Sequence, residues 1–168
     1  MPIVPFNALP DDARTWVFGS DVPVVGAAAD TLLAAVDDFL AGWHAHGTPL
    51  HCGREWRDDR FLAVGVDVSQ EMASGCSIDG LFRTLQRLER EIGARLVGAG
   101  RVFYRGAAGG VSSAPRTQLG QLVADGEIGR DTPVFDLSLT AAGVWRERFE
   151  QRAATSWMSS YFSAPALR

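Results

Sequence analysis

The spacing of apolar and polar positions predicts two amphipathic helices. Between Ala27 and Trp43, apolar residues recur every three or four positions and aspartates fall between them. From Ile78 to Ile92, apolar residues form one stripe and arginines and glutamates cover the opposite face. The stripe consists of Leu81, Leu85, Leu88 and Ile92. Gly93 follows where helices often end in a left-handed residue, so we expect it to cap the second helix.

Four short β-prone runs surround these helices. They are Thr15–Phe18, Cys52–Trp56, Phe61–Val68 and Arg101–Arg105. The second and third runs flank the polar segment 57–60 and predict a hairpin. The order through residue 105 is therefore β-α-β-β-α-β, which is typical of the ferredoxin-like (split β-α-β) arrangement. We predict an α+β protein with an antiparallel sheet and two helices on one face.

The remaining segments are predicted to flank that core within a single domain, 1–168. Residues 1–13 are an irregular lead-in with three prolines, residues 14–105 are the core, and residues 106–168 are a C-terminal β-α extension. Within the extension we expect a small-residue loop, a short helix, a strand and a final helix. Their predicted bounds are Gly106–Ser113, Pro115–Ala124, Thr132–Leu139 and Ala141–Ala154.

Composition and charge limit the cellular compartment and the kinds of partner that we expect. No apolar run approaches 18 residues, so we expect no contact with a membrane. The net charge of −4, without a basic cluster, argues against nucleic acid. The chain starts without the basic and apolar regions of a signal peptide. The two cysteines, Cys52 and Cys76, are therefore expected as free thiols in the cytoplasm.

The absence of lysine excludes several kinds of chemistry. All 16 basic residues are arginine. A Walker A loop and a pyridoxal phosphate Schiff base each need a lysine. The dinucleotide fingerprint is also missing, because Phe103 stands where its third glycine would follow Gly98 and Gly100. We expect no cofactor.

The chemically versatile side chains cluster in the sequence. His44, His46 and His51 lie within eight residues, and Cys52 follows immediately. Cys76 comes after the second strand of the predicted hairpin. Because the first strand of a hairpin starts beside the end of the second, these residues are predicted to emerge at one end of the sheet.

Cys76 is predicted to lie at the start of the second helix. Ser77 or Asp79 would be its N-terminal cap, and Ser74 and Gly75 would complete the turn. Free N–H groups and the positive end of a helix lower a thiol pKa and can also hold an anion. The alternative is a tight structural turn with a small buried thiol.

A cysteine nucleophile needs a base, and that base needs an orienting group. We expect His46 as the base, His44 behind it, and Asp79 or Asp67 as the orienting carboxylate. The alternative for His44 and His46 is a favourable position at a helix C-terminus. Zinc competes for the same side chains, but the chain has no Cys-x-x-Cys and no His-x-x-x-His, so we expect no metal site.

Four segments resemble a small, uncharacterised bacterial family that is common in Bacteroidetes and is often mislabelled as an ABC-transporter ATPase. They are Pro5–Pro10 with Ala13–Val17, Trp43–Gly47, Ala73–Asp79, and Ser156–Trp157 with Phe162. The family pattern includes His46, Gly47, Cys76 and Asp79, so the resemblance implies a site of Cys76 with His46 rather than zinc. The ATPase label conflicts with the missing lysine. The family has no established activity.

Two classes of function follow as expectations. The first is a cytoplasmic domain that binds a small ligand or a protein partner, with Ser74, Gly75, Ser77 and His44 in contact with it. The second is a cysteine-dependent hydrolase, transferase or redox enzyme, with Cys76 as nucleophile, His46 as base and Asp79 as orienting group. The oligomeric state stays open, including a homodimer.

Overall fold

A computed structural model of the chain describes residues 3–69, 72–98 and 100–163. These residues form a mixture of helices and antiparallel sheets, as the predicted α+β class requires. The chain divides into two compact units. The first unit is Met1–Gly98 with Leu137–Arg146, and the second unit is Ala99–Asp136 with Glu147–Arg168. In the described part of the chain, no helix is long and apolar enough to cross a membrane.

The first unit contains both predicted helices and the predicted hairpin. Its elements are β1 (Arg14–Gly19), α1 (Gly26–Ala41), β2 (His44–Ala45), β3 (Thr48–Pro49), β4 (Cys52–Arg57), β5 (Phe61–Val66) and α2 (Gly75–Ile92). The main sheet is antiparallel in the order β1-β5-β4. Cys52 pairs with Val66, so the start of β4 lies beside the end of β5 as expected. Gly93 caps α2 in the left-handed conformation, which confirms that prediction.

Strand β5 is buried on both faces of this sheet. Leu62, Val64 and Val66 share a core with the apolar stripes of α1 and α2. Those stripes are Leu32, Val36 and Leu40 on α1, and Leu81, Leu85 and Leu88 on α2. On the opposite face, a side chain at Gly65 would meet Leu9 Cδ1 at 2.7 Å. The lead-in segment therefore packs against the sheet because this strand carries a glycine there.

The four-stranded ferredoxin-like sheet is not confirmed. The strand expected to complete it, Arg101–Arg105, pairs in a separate sheet of the second unit. The free edge of β1 is instead contacted by residues 140–141: Thr15 N–H donates to Thr140 O at 3.0 Å, and Arg14 pairs with Ala141. Arg101–Arg105 pairs with the segment that follows it, Val111–Pro115. This local hairpin closes a much shorter loop than pairing with β1 would, so it costs less chain entropy.

The second unit is built on that hairpin. Its elements are β6 (Arg101–Arg105), β7 (Val111–Pro115), α3 (Leu119–Ala124), β8 (Pro133–Phe135) and β9 (Glu150–Arg152), in the sheet order β7-β6-β8-β9. The predicted loop Gly106–Ser113 is wrong in part, because its last three residues lie in β7.

The predicted final helix is also too long. Helix α4 spans Ala142–Arg148, and the chain then becomes β9. Phe149 packs on Phe135 with ring centroids 5.2 Å apart. Arg105 holds Glu150 with two nitrogens, at 2.5 and 2.9 Å. These contacts draw the segment into the sheet and override its helical pattern.

Candidate functional site

The first turn of α2 carries the exposed thiol, and we call residues 74–77 the Cys76 turn. Its cap is Ser74, not Ser77 or Asp79 as predicted. Ser74 Oγ accepts from Ser77 N at 3.2 Å, and Ser77 Oγ donates to Ser74 O at 2.8 Å. The helical ladder begins with Ile78 N to Ser74 O. The N–H groups of Gly75 and Cys76 precede that ladder, as the first N–H groups of a helix do.

The two cysteines lie in opposite environments. Cys76 is exposed on the turn, whereas Cys52 is fully buried in the core. Burial raises the pKa of Cys52 to about 11, and its Sγ lies 3.8 Å from the carbonyl oxygen of Leu40. The interpretation of Cys76 as a small buried thiol is therefore wrong, because that description fits Cys52.

His44 and His46 lie on a small hairpin, residues 44–49, that we call the histidine hairpin. Helix α1 ends at Ala41 with Gly42 as its cap, and His44 Nδ1 lies 2.5 Å from the carbonyl oxygen of Gly42. His44 therefore takes the alternative position at a helix C-terminus, whereas His46 lies beyond it. His46 and Gly47 form the two-residue turn between β2 and β3, both with positive φ (51° and 83°). Such turns match the twist of the paired strands, and glycine enters the left-handed region without steric cost. The turn leaves the His46 side chain exposed.

Trp43 connects the histidine hairpin to the Cys76 turn. Its indole Nε1 donates to Ser77 O at 3.0 Å, and its backbone O accepts from Leu50 N at 2.9 Å. The residue after Cys76 and the residue before His51 are therefore bonded to the same tryptophan. These bonds place the two segments at one end of the first unit, as the sequence predicted.

A carboxylate lies beside His51, a histidine that the sequence analysis did not assign as the base. His51 Nδ1 is buried and lies 3.4 Å from Asp67 Oδ2, which is within ion-pair distance, but among the described residues it has no partner with hydrogen-bond geometry. Asp67 is fixed in turn by Ser69, whose Oγ and N donate at 2.6 and 2.9 Å. The Ser69 bonds, with a smaller contribution from His51, lower the pKa of Asp67 against the opposing effect of burial.

The sequence held a signal for this pair. In the predicted hairpin, the register that pairs Cys52 with Val66 also sets His51 opposite Asp67, and Asp67 N donates to His51 O at 2.8 Å. His51 precedes the first strand and Asp67 follows the second, so two polar residues face each other where the buried strands end. Such a pair in a hairpin sequence indicates two side chains in contact at the solvent edge of the sheet.

Among the described residues, the members of the predicted triad are not bonded to one another. Asp79 is exposed on α2, one turn beyond the cap. Within the described residues, no hydrogen bond or ion pair joins Cys76, His46 and Asp79. Across the same residues, no group of three or more His, Cys, Asp or Glu side chains is arranged to hold a metal ion.

Comparisons of this chain with protein-family models, with curated proteins and with solved structures found no match. The resemblance to the bacterial family stays a prediction. The site is therefore defined by its geometry: an exposed thiol, two exposed imidazoles, and a third imidazole at ion-pair distance from a carboxylate.

Proposed function

We propose that the protein binds a small ligand or a protein partner at the Cys76 turn and the histidine hairpin. The observation that supports this most is the Trp43 to Ser77 hydrogen bond. It fixes the first turn of α2 relative to the hairpin, while Cys76, His44 and His46 stay exposed. Because these exposed side chains sit on segments fixed by hydrogen bonds, they form a preorganised surface for a ligand or partner.

The thiol provides a direct probe of this surface. A thiolate attacks a disulfide, forms a mixed disulfide and releases the other half as a thiol. Three symmetric disulfides test the ligand preference at Cys76: dithiodipropionate (anionic), hydroxyethyl disulfide (neutral) and cystamine (cationic). The positive end of α2 and its uncapped N–H groups favour the anionic reagent.

For each reagent, the rate of exchange at Cys76 in the folded chain is divided by its rate in urea. We expect this ratio to be highest for the anionic disulfide. Intact mass and peptide mapping measure the exchange, and buried Cys52 is the internal reference. An identical order of rates in the folded and unfolded chain would contradict a binding surface at this turn.

A second candidate is a cysteine-dependent enzyme, which the His51–Asp67 pair favours. Thiol and serine hydrolases activate the nucleophile with an imidazole that is hydrogen-bonded to a carboxylate. His51 and Asp67 lie close enough to form that bond after a small movement of either side chain. In an acyl-transfer step, the Cys76 thiol would lose its proton to an imidazole. Its sulfur would attack the acyl carbonyl, and the imidazolium would return the proton to the departing group. Water would later hydrolyse the thioester to the free acid and the thiol.

Acyl transfer is tested with p-nitrophenyl acetate, whose acylation of Cys76 releases nitrophenolate. The enzyme account expects turnover that is lost in Cys76→Ser and reduced in the variant of whichever imidazole is the base. His46→Ala and His51→Ala distinguish the base that the sequence predicted from the histidine that lies beside Asp67. Release that is unchanged in Cys76→Ser would exclude thiol catalysis of this reaction.

We further propose a reducing, cytoplasmic location, supported by two free cysteines of opposite burial. Membership of the bacterial family named above and a homodimeric assembly remain proposals of the same kind.

A further inference from the structure

A polar cavity lies at the other end of α2. It has a volume of about 420 Å³ and is lined by Asp21, Glu89, Arg90, Gly93, Ala94 and Arg95; we call it the arginine groove. Helix α2 has 18 residues, so the groove is about 27 Å from the Cys76 turn. Its volume is within the usual range for small-molecule sites.

The two carboxylates that line the groove accept hydrogen bonds from backbone N–H groups in its walls. Glu89 Oε1 accepts from Leu96 N at 2.8 Å and from Val97 N at 2.7 Å. Asp21 Oδ1 accepts from Arg95 N at 2.8 Å, and Asp21 N donates to Arg95 O at 3.1 Å. The Glu89 bonds tie the segment after α2 to the helix, and the Asp21 bonds tie it to the loop after β1, so both walls of the groove are fixed by hydrogen bonds.

The two arginines are left without a carboxylate. Both side chains are exposed, and neither has a hydrogen-bond or ion-pair partner among the residues that the structure describes. Arg54, in contrast, holds Asp37 with two nitrogens at 2.7 Å each. Gly93, between the two, has φ +68° and open space where a side chain would project.

We propose that the arginine groove binds a small oxyanion, a carboxylate or a phosphate, between the guanidiniums of Arg90 and Arg95. Guanidinium groups match these anions with paired, charge-assisted hydrogen bonds. The carbonyl groups at the C-terminal end of α2 repel an anion. The attraction must therefore come from both arginines together. This inference does not rest on the function proposed for the Cys76 turn.

The test is a titration of the ¹⁵N-labelled full chain with sodium phosphate and, separately, with sodium succinate, at ionic strength held constant with sodium chloride. We expect saturable amide shifts at residues 90–95 and 21 with at least one anion, and the anion that binds identifies the chemistry. Arg90→Gln and Arg95→Gln should each weaken binding about tenfold.

Arg83→Gln is the matched control, because Arg83 is exposed on the same helix but does not line the groove. It should leave the affinity unchanged. Shifts that do not saturate with either anion would overturn the proposal. So would an equal loss of affinity in the Arg83 variant, which would indicate non-specific screening of surface charge. Shifts confined to residues 75–78 would place the anion at the Cys76 turn and would also overturn it.

Discussion

The indole of Trp43 donates a 3.0 Å hydrogen bond to the carbonyl oxygen of Ser77, 34 positions further along the chain. Trp43 follows α1 directly, and Ser77 lies in the first turn of α2. A side chain on one predicted element thereby fixes the start of another. The exposed Cys76 is held in place by a core residue rather than by its own turn alone.

Trp43→Phe should lower the free energy of unfolding by about 1 kcal/mol, because it removes this hydrogen bond. Amide exchange at residues 75–78 should accelerate more than in the rest of α2. Trp56→Phe is the matched control: among the described residues, its buried Nε1 has no hydrogen-bond partner. It makes the same change in size without losing a bond, so it should cost less. Equal losses in the two variants would contradict the role assigned to Trp43.

Asp67 should stabilise the protein in a pH-dependent way. Its hydrogen bonds from Ser69 lower its pKa in the folded state below the usual value of about 3.9. The ionised carboxylate therefore contributes stability that is present above that value and lost as the pH falls through the folded pKa. Asp67→Asn should cost about 1 kcal/mol at pH 7 in urea unfolding, and this cost should shrink as the pH is lowered below about 3.9 and through the folded pKa.

Ser69→Ala checks the cause of this effect, because it removes the Oγ bond while keeping the carboxylate. It should retain only part of the pH dependence of the wild type. A constant difference in unfolding free energy between wild type and Asp67→Asn from pH 7 down to about pH 2 would show that the charge of Asp67 is not involved.

Gly53 should be intolerant of a side chain. A Cβ there would overlap the carbonyl oxygen of Val4 and lie 3.3 Å from Phe6 N. Both contacts are with backbone, which cannot rotate away, so Gly53→Ala should cost about 1–3 kcal/mol. Gly75→Ala is the control, since nothing lies within 4 Å of its added Cβ and it is the first residue of α2. Thermal unfolding should find it neutral or slightly stabilising.

Tyr104 should lose its proton at a higher pH than an exposed tyrosine does. Its side chain is buried and its hydroxyl donates to Glu127 Oε1 at 2.5 Å. Burial, and secondarily Glu127, raise the pKa of Tyr104 to about 12. Absorbance at alkaline pH should therefore show one of the two tyrosines ionising near pH 12. Tyr104→Phe should abolish that step. If the step persists in Tyr104→Phe, the assignment is wrong.

Much of the first unit is predictable from short-range patterns. The stripe of Leu81, Leu85 and Leu88 defines α2, and the polar turn between β4 and β5 defines the hairpin. From that hairpin alone, the clustering of the histidines and Cys76 at one sheet end follows. The His51–Asp67 pair could also have been predicted, because the hairpin register sets these two residues opposite each other.

The remaining features depend on competition between distant segments. Ser74, Ser77 and Asp79 are all acceptable caps, and only the start of the helical ladder decides among them. The sequence of β7, Val111–Pro115, is mostly small residues and has the composition of a loop. The edge of β1 could accept β6 or residues 140–141, and no local pattern distinguishes these two pairings.

The most direct test of an accessible thiol site is the rate of iodoacetamide alkylation at each cysteine, measured by peptide mass spectrometry in the folded chain and in urea. Cys76 of the folded chain should react within about tenfold of its rate in the unfolded chain, because it is exposed on the first turn of α2. Cys52, buried and with its pKa raised to about 11, should react only after unfolding. A Cys76 that stays inert until the chain unfolds would contradict the account.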